Sequence, residues 1–128
     1  MIKAKLIICG GRGFSDYELL KLIADNLLEK HDLSPEEVEV LSGHCDGADK
    51  LGERYADEHS MKCAIFPEEW QKYGKCAGHI RNTQMIEYAF DAELPMVIAF
   101  MNERTRGTRD TVKKAEKKGF EVVKIAYS

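Results

Sequence analysis

Apolar and polar positions along the chain alternate between two periods, short continuous runs and helical stripes. Lys5 to Cys9 (K-L-I-I-C) is a five-residue run that stops at Gly10-Gly11 and predicts a buried strand. Ser15 and Asp16 can cap a following helix, in which Leu19, Leu20, Ile23, Leu27 and Leu28 share one face. Val38 to Leu41 predicts a second strand ending at Ser42-Gly43, and Ala48, Leu51, Tyr55 and Ala56 mark a second helix. Cys63 to Phe66 predicts a third strand, broken by Pro67, and Glu68 to Gly78 reads as the longest irregular segment. A third helix follows from about Ala77 to Phe90, and Pro95 opens a fourth strand, Met96 to Met101. An arginine-bearing loop leads to a fourth helix, Gly107 to Lys118, with Gly119 as its C-terminal stop and Phe120 to Ile125 as a last strand.

Strands that alternate with helices imply right-handed crossovers and a sheet covered on both faces. The expected fold is therefore α/β: a single Rossmann-like domain over residues 1–128, with a five-stranded, mostly parallel sheet and helices on both faces. A chain of 128 residues suits that reading, because two separate cores would each be too small. Hydrophobic residues at 44% and charged residues at 32% exclude disorder as the default. With 19 Lys and Arg against 22 Asp and Glu, the net charge of −3 excludes a general polyanion binder and makes nucleic acid an unfavoured partner. No apolar run approaches the roughly 18 residues of a membrane span, so no membrane contact and a cytoplasmic location are expected. Cys9, Cys45, Cys63 and Cys76 form no C-x-x-C pair and no cluster with histidine, so neither a metal nor a cofactor is expected. Cys9 and Cys63 read as small core residues, whereas Cys45 lies in a Gly-flanked turn that could stabilise a thiolate.

In a doubly wound sheet, ligands bind beyond the carboxyl ends of the strands. That rule selects the loops Gly10 to Ser15, Ser42 to Asp49, Pro67 to Gly78 and Asn102 to Thr108. Neither G-x-x-x-x-G-K-[ST] nor G-x-G-x-x-G is present, which excludes an ordinary P-loop enzyme or dinucleotide dehydrogenase. Polar residues interrupt two apolar stripes at helix starts, Arg81 and Asn82 in the third helix and Thr108 and Thr111 in the fourth. At such a place free N–H groups and the helix dipole attract anions, although plain capping also accounts for Thr108. A cation in a first turn opposes the dipole unless an anion joins it, which singles out Arg81. Arg12, Arg104, Arg106 and Arg109 fall in or beside the same cleft, with forks suited to phosphate. Asp46 and Asp49 follow the second strand, and Asp49 can accept from ribose hydroxyls, act as a base, or simply favour its helix dipole. Trp70 and Tyr73 can stack on a base or bury the long loop against the domain.

Together, Gly10-Gly11-Arg12, the run Ser42-Gly43-His44-Cys45-Asp46-Gly47-Ala48-Asp49, Trp70, and the run Ala77 to Met85 (A-G-H-I-R-N-T-Q-M) resemble the YspA-like family of the SLOG superfamily. That superfamily has a Rossmann-like fold and includes the LOG phosphoribohydrolases and the single-stranded-DNA-binding DNA-processing protein A. The resemblance implies a nucleotide or nucleotide-derived ligand held by Gly10, Gly11, Arg12, Ser42, Gly43, Asp46, Gly47, Asp49, Trp70, Arg81, Asn82, Gly107 and Thr108. Analogy with LOG enzymes also suggests a homodimer. LOG enzymes carry P-G-G-x-G-T-x-x-E; here Gly107-Thr108 match, but the Glu position falls on Thr111, with Asp110 one residue earlier and about 100° away around the helix.

Three functions follow as expectations. The first is a sensor or binding module for a phosphorylated nucleotide-like ligand. The second is an N-glycoside hydrolase acting on nucleoside 5'-monophosphates, with Asp49 or Asp110 in place of the missing Glu. The third is single-stranded nucleic-acid binding, with bases on Trp70 and Tyr73.

Overall fold

A computed structural model describes residues 1–128. The five apolar runs become β1 (Ala4–Gly10), β2 (Val38–Ser42), β3 (Lys62–Ile65), β4 (Leu94–Met101) and β5 (Glu121–Ala126). They form one sheet in the order β3-β2-β1-β4-β5. Every neighbouring pair is parallel, so the sheet is wholly rather than mostly parallel. Each strand returns to the same end of the sheet because a helix carries the chain back: α1 (Tyr17–Lys30), α2 (Ala48–Glu58), the short α3 (Trp70–Tyr73) with α4 (Ala77–Phe90), and α5 (Arg106–Lys117).

Strand alternation splits the core in two. Leu6 and Ile8 of β1 point to the side of α1 and α2, where they join Leu20, Leu27, Leu28, Tyr55 and Phe100. Ile7 and Cys9 point to the opposite side and pack with Met85, Ile86, Val112 and Ala115 of α4 and α5. Helices therefore cover both faces, and the fold is Rossmann-like. At the start of α1 the cap is Asp16, whose Oδ1 accepts from the Leu19 amide at 3.1 Å, while Ser15 is exposed. Pro95 lies inside β4 rather than before it. Its missing N–H costs little there, because pairing with β5 begins only at Met96.

Two expectations need correction. Cys63 is exposed, because β3 is an edge strand and most of it faces solvent. The segment from Glu68 to Gly78 is not irregular: Trp70–Tyr73 is a helical turn and Gly74–Cys76 a 3-10 turn. The order of strands reverses between β1 and β4, since the chain builds outward to β3 and then crosses back. A crevice at that point is forced by the topology.

Candidate functional site

A cleft of about 930 Å³ opens at that crevice. Gly10 to Gly13 after β1, Met101 to Arg106 after β4, the first turn of α5 and Ala126 to Ser128 after β5 line one part of it. Cys45, Asp49, Glu68, Arg81, Asn82 and Met85 line the other. A shallower depression of about 310 Å³ adjoins it, lined by Arg12, Gly43, His44, Cys45, Asp46, Pro67, Glu68 and Trp70.

The start of α5 is left uncapped by its own residue. Thr105 occupies the N-cap, but its hydroxyl donates to the Asn102 carbonyl at 2.8 Å and accepts from the Asn102 amide at 3.1 Å. The Arg106 amide turns back to the Arg104 carbonyl at 3.1 Å, and helical pairing resumes only with Arg109 on Thr105. The amides of Gly107 and Thr108 are left without an acceptor in the chain. Thr108 is 8% exposed, lines the cleft, and makes no side-chain hydrogen bond. Arg12, Arg104 and Arg106 stand at the same cleft, exposed and outside every ion pair of the chain.

Arg81 is spent differently. Its Nη2 pairs with Glu68 Oε1 at 3.2 Å, Nη1 donates to the Gly43 carbonyl at 2.8 Å, and Nε donates to Asn82 Oδ1 at 2.9 Å. Arg81 is the fifth residue of α4, past the first turn in which it was expected; its counter-charge is the chain's own Glu68, and the guanidinium clamps the loop after β2 to α4. Gly43 must be glycine for this: a Cβ there would collide with Arg81 Nη1 and come within 2.8 Å of Asp49 Oδ2. Asn82 Nδ2 continues the latch to α5, donating to Asp110 Oδ2 at 3.0 Å and to the Gly107 carbonyl at 3.2 Å.

The two carboxylates considered for catalysis part company. Asp49 is 5% exposed and lines the cleft; burial pushes its carboxyl up to about 6, against the amides of Cys45 and Gly10 and the charge of Arg81. Asp110 lies outside the cleft lining. Burial works against its charge, but Lys114 Nζ at 2.6 Å, with Asn82 and His79, holds its carboxyl below the usual range. Thr111 is buried, its hydroxyl donating to the Gly107 carbonyl at 3.4 Å. Burial and the charge of Asp49 push the Cys45 thiol up, so its turn does not favour a thiolate, and Cys9 is raised for the same two reasons. No trio of His, Cys, Asp or Glu converges to hold a metal ion, and no helix is long and apolar enough to cross a membrane.

Of the residues singled out from sequence, Gly10, Gly11, Arg12, Asp49, Arg81, Asn82, Gly107 and Thr108 meet in the cleft. Gly43, Asp46 and Trp70 face the adjoining depression instead. Ser42 and Gly47 line neither: Ser42 is fully buried, donating to Glu53 Oε2 at 2.7 Å and accepting from the His44 amide at 3.0 Å. The Gly11 amide is also committed, to the Phe100 carbonyl at 3.1 Å, as is that of Cys45, to Asp49 at 3.3 Å. Free amides therefore lie at the start of α5 and, after β1, at Arg12 and Gly13 rather than at Gly11. Sequence reasoning missed Glu68 and the residues after β5. Tyr127 sets its ring edge-on to Phe14 at 5.2 Å and its hydroxyl against Gly11, where a Cβ would collide with it. Its place just beyond the last parallel strand was the available signal.

Residues 4–73 match the YAcAr family, described as YspA, cpYpsA-related SLOG family. The chain is also similar to Gene 61 protein of Mycobacterium phage D29, 27% identical over 124 residues that cover 93% of this chain and 94% of that protein. No solved structure matches.

Proposed function

Because the chain belongs to the YspA, cpYpsA-related SLOG family, we propose that its cleft binds a nucleotide-derived phosphorylated ligand, with the phosphate on the first turn of α5. The observation that carries this reading is the uncapped helix start: two unpaired amides, those of Gly107 and Thr108, beside a Thr108 hydroxyl that bonds to nothing in the chain and opens onto the cleft. Helix dipole and N–H groups both favour an anion there. Arg12, Arg104 and Arg106 add positive charge with no internal partner to neutralise it. Arg81 and Asn82 position rather than bind: they fix the wall against which α5 is held.

Calorimetric titration with nucleoside monophosphates, ADP-ribose and cyclic nucleotides tests the proposal. At least one binds, and Thr108→Val weakens that binding about tenfold, the loss of one hydrogen bond to a charged group. Absence of binding by every compound overturns it.

A second reading draws on Asp49. A buried carboxyl in the cleft, titrating near 6, suits a group that exchanges a proton with a leaving base or with water. N-glycoside hydrolysis on this site would release free base from a nucleoside monophosphate and would be abolished by Asp49→Asn. Chromatography that finds no base after long incubation removes this reading and leaves the binding proposal standing.

A further inference from the structure

The adjoining depression has a chemistry of its own. Its wall is Trp70, whose indole is 58% exposed and packs on no other ring. Pro67, Gly43 and His44 continue the lining, the His44 ring held by Glu53 at 2.8 Å, and Asp46 pairs only with Lys50, 3.5 Å away. Arg12, Cys45 and Glu68 line both this depression and the larger cleft, so the two are halves of one continuous surface. The halves differ in charge. The α5 side offers Arg104, Arg106 and free amides, whereas the Trp70 side offers an aromatic face and the acceptors Asp46 and Glu68.

That polarity fixes which end of a ligand goes where. An anion on the Trp70 side would meet Asp46 and Glu68, while a planar ring bearing N–H donors would find a stacking surface and acceptors. We propose that the Trp70 depression is a nucleobase subsite, so that a ligand lies across Arg12 with its phosphate at α5 and its base on the indole. The inference rests on the phosphate site proposed above.

Trp70 is the only tryptophan in the chain, so its fluorescence reports on this depression alone. The probes are adenosine 5'-monophosphate and ribose 5-phosphate, which share the phosphate and sugar and differ by the base. Calorimetry measures affinity for wild type, Trp70→Ala and Trp70→Phe, and fluorescence is read on the wild type. Both probes bind, but only the base-bearing one quenches the indole. Trp70→Ala weakens it about tenfold, as loss of one base–aromatic stack does, and leaves ribose 5-phosphate unchanged, while Trp70→Phe restores most of the difference. Equal binding of the two probes, unmoved fluorescence and no effect of Trp70→Ala overturn the subsite but leave the phosphate site intact. Binding of neither probe overturns the subsite, and the phosphate site falls with it when every compound of the wider panel fails as well. The exposure of Trp70 makes loss of fold an inadequate explanation for a selective effect, and unfolding curves of the three proteins check it.

Discussion

Replacing Asp49 by Asn changes how the stability of this protein depends on pH. The folded-state carboxyl titrates near 6, raised by burial from the ordinary 3.8. Between those two pH values the folded chain binds more protons than the unfolded one, so stability falls as pH rises through that window. The loss is complete above about pH 7. At roughly 1.4 kcal/mol per pKa unit, a rise from 3.8 to about 6 amounts to about 3 kcal/mol. Asn has nothing to ionise, and its side-chain oxygen can still accept from the Cys45 amide, which lies 3.3 Å from Asp49 Oδ2. The assay is urea unfolding of wild type and variant at matched ionic strength from pH 4 to pH 8. Subtracting one curve from the other removes the titration of groups common to both. The variant gains on the wild type by about 3 kcal/mol across the window, with most of the change between pH 4 and 6. A difference that stays flat to within about 0.5 kcal/mol would refute the argument, because it would mean that the carboxylate is solvated well enough to ionise normally.

Glu68→Gln leaves the Arg81 guanidinium, 8% exposed, without its counter-charge, and lowers stability by about 3 kcal/mol as measured by urea unfolding at pH 7. Thr105→Asp supplies the cap that α5 lacks: it raises stability by about 1 kcal/mol and weakens phosphate-bearing ligands at least tenfold in calorimetry, two opposite effects of one carboxylate on the Gly107 and Thr108 amides.

The fold was legible because each of its five strands is an apolar run and each longer helix an apolar stripe, which are local properties. Cys63 escaped because its exposure depends on strand order, and nothing within K-C-A-I records that β3 ends the sheet. The short α3 escaped because four residues are too few to show a period. For the cleft, topology alone picked the correct end of the sheet, and eight of the thirteen ligand-binding residues that the resemblance implied line it. Sequence could not show which amides were free. The Gly11 amide looks available next to its neighbours, yet its partner is the Phe100 carbonyl on the strand that crosses back beside β1.

Arg81 and Thr108 show why a rule about helix starts has to be applied twice. Both are polar positions near a helix start, Thr108 in the first turn of α5 and Arg81 the fifth residue of α4, and the same electrostatics makes each look like part of an anion site. The difference lies in whether the chain supplies the partner. For Arg81 it does: Glu68, Gly43 and Asn82 take up the guanidinium, and what remains is a rigid wall. For α5 it does not, since Thr105, the residue best placed to cap the helix, is turned back onto Asn102 and the first-turn amides go unanswered. A missing cap costs about 1 kcal/mol. One and the same cleft therefore contains a fully engaged guanidinium on α4 and an unsatisfied helix start at α5. The incomplete start stands beside three arginines that no carboxylate of the chain engages, which is what leaves this side of the cleft open to an anion from outside.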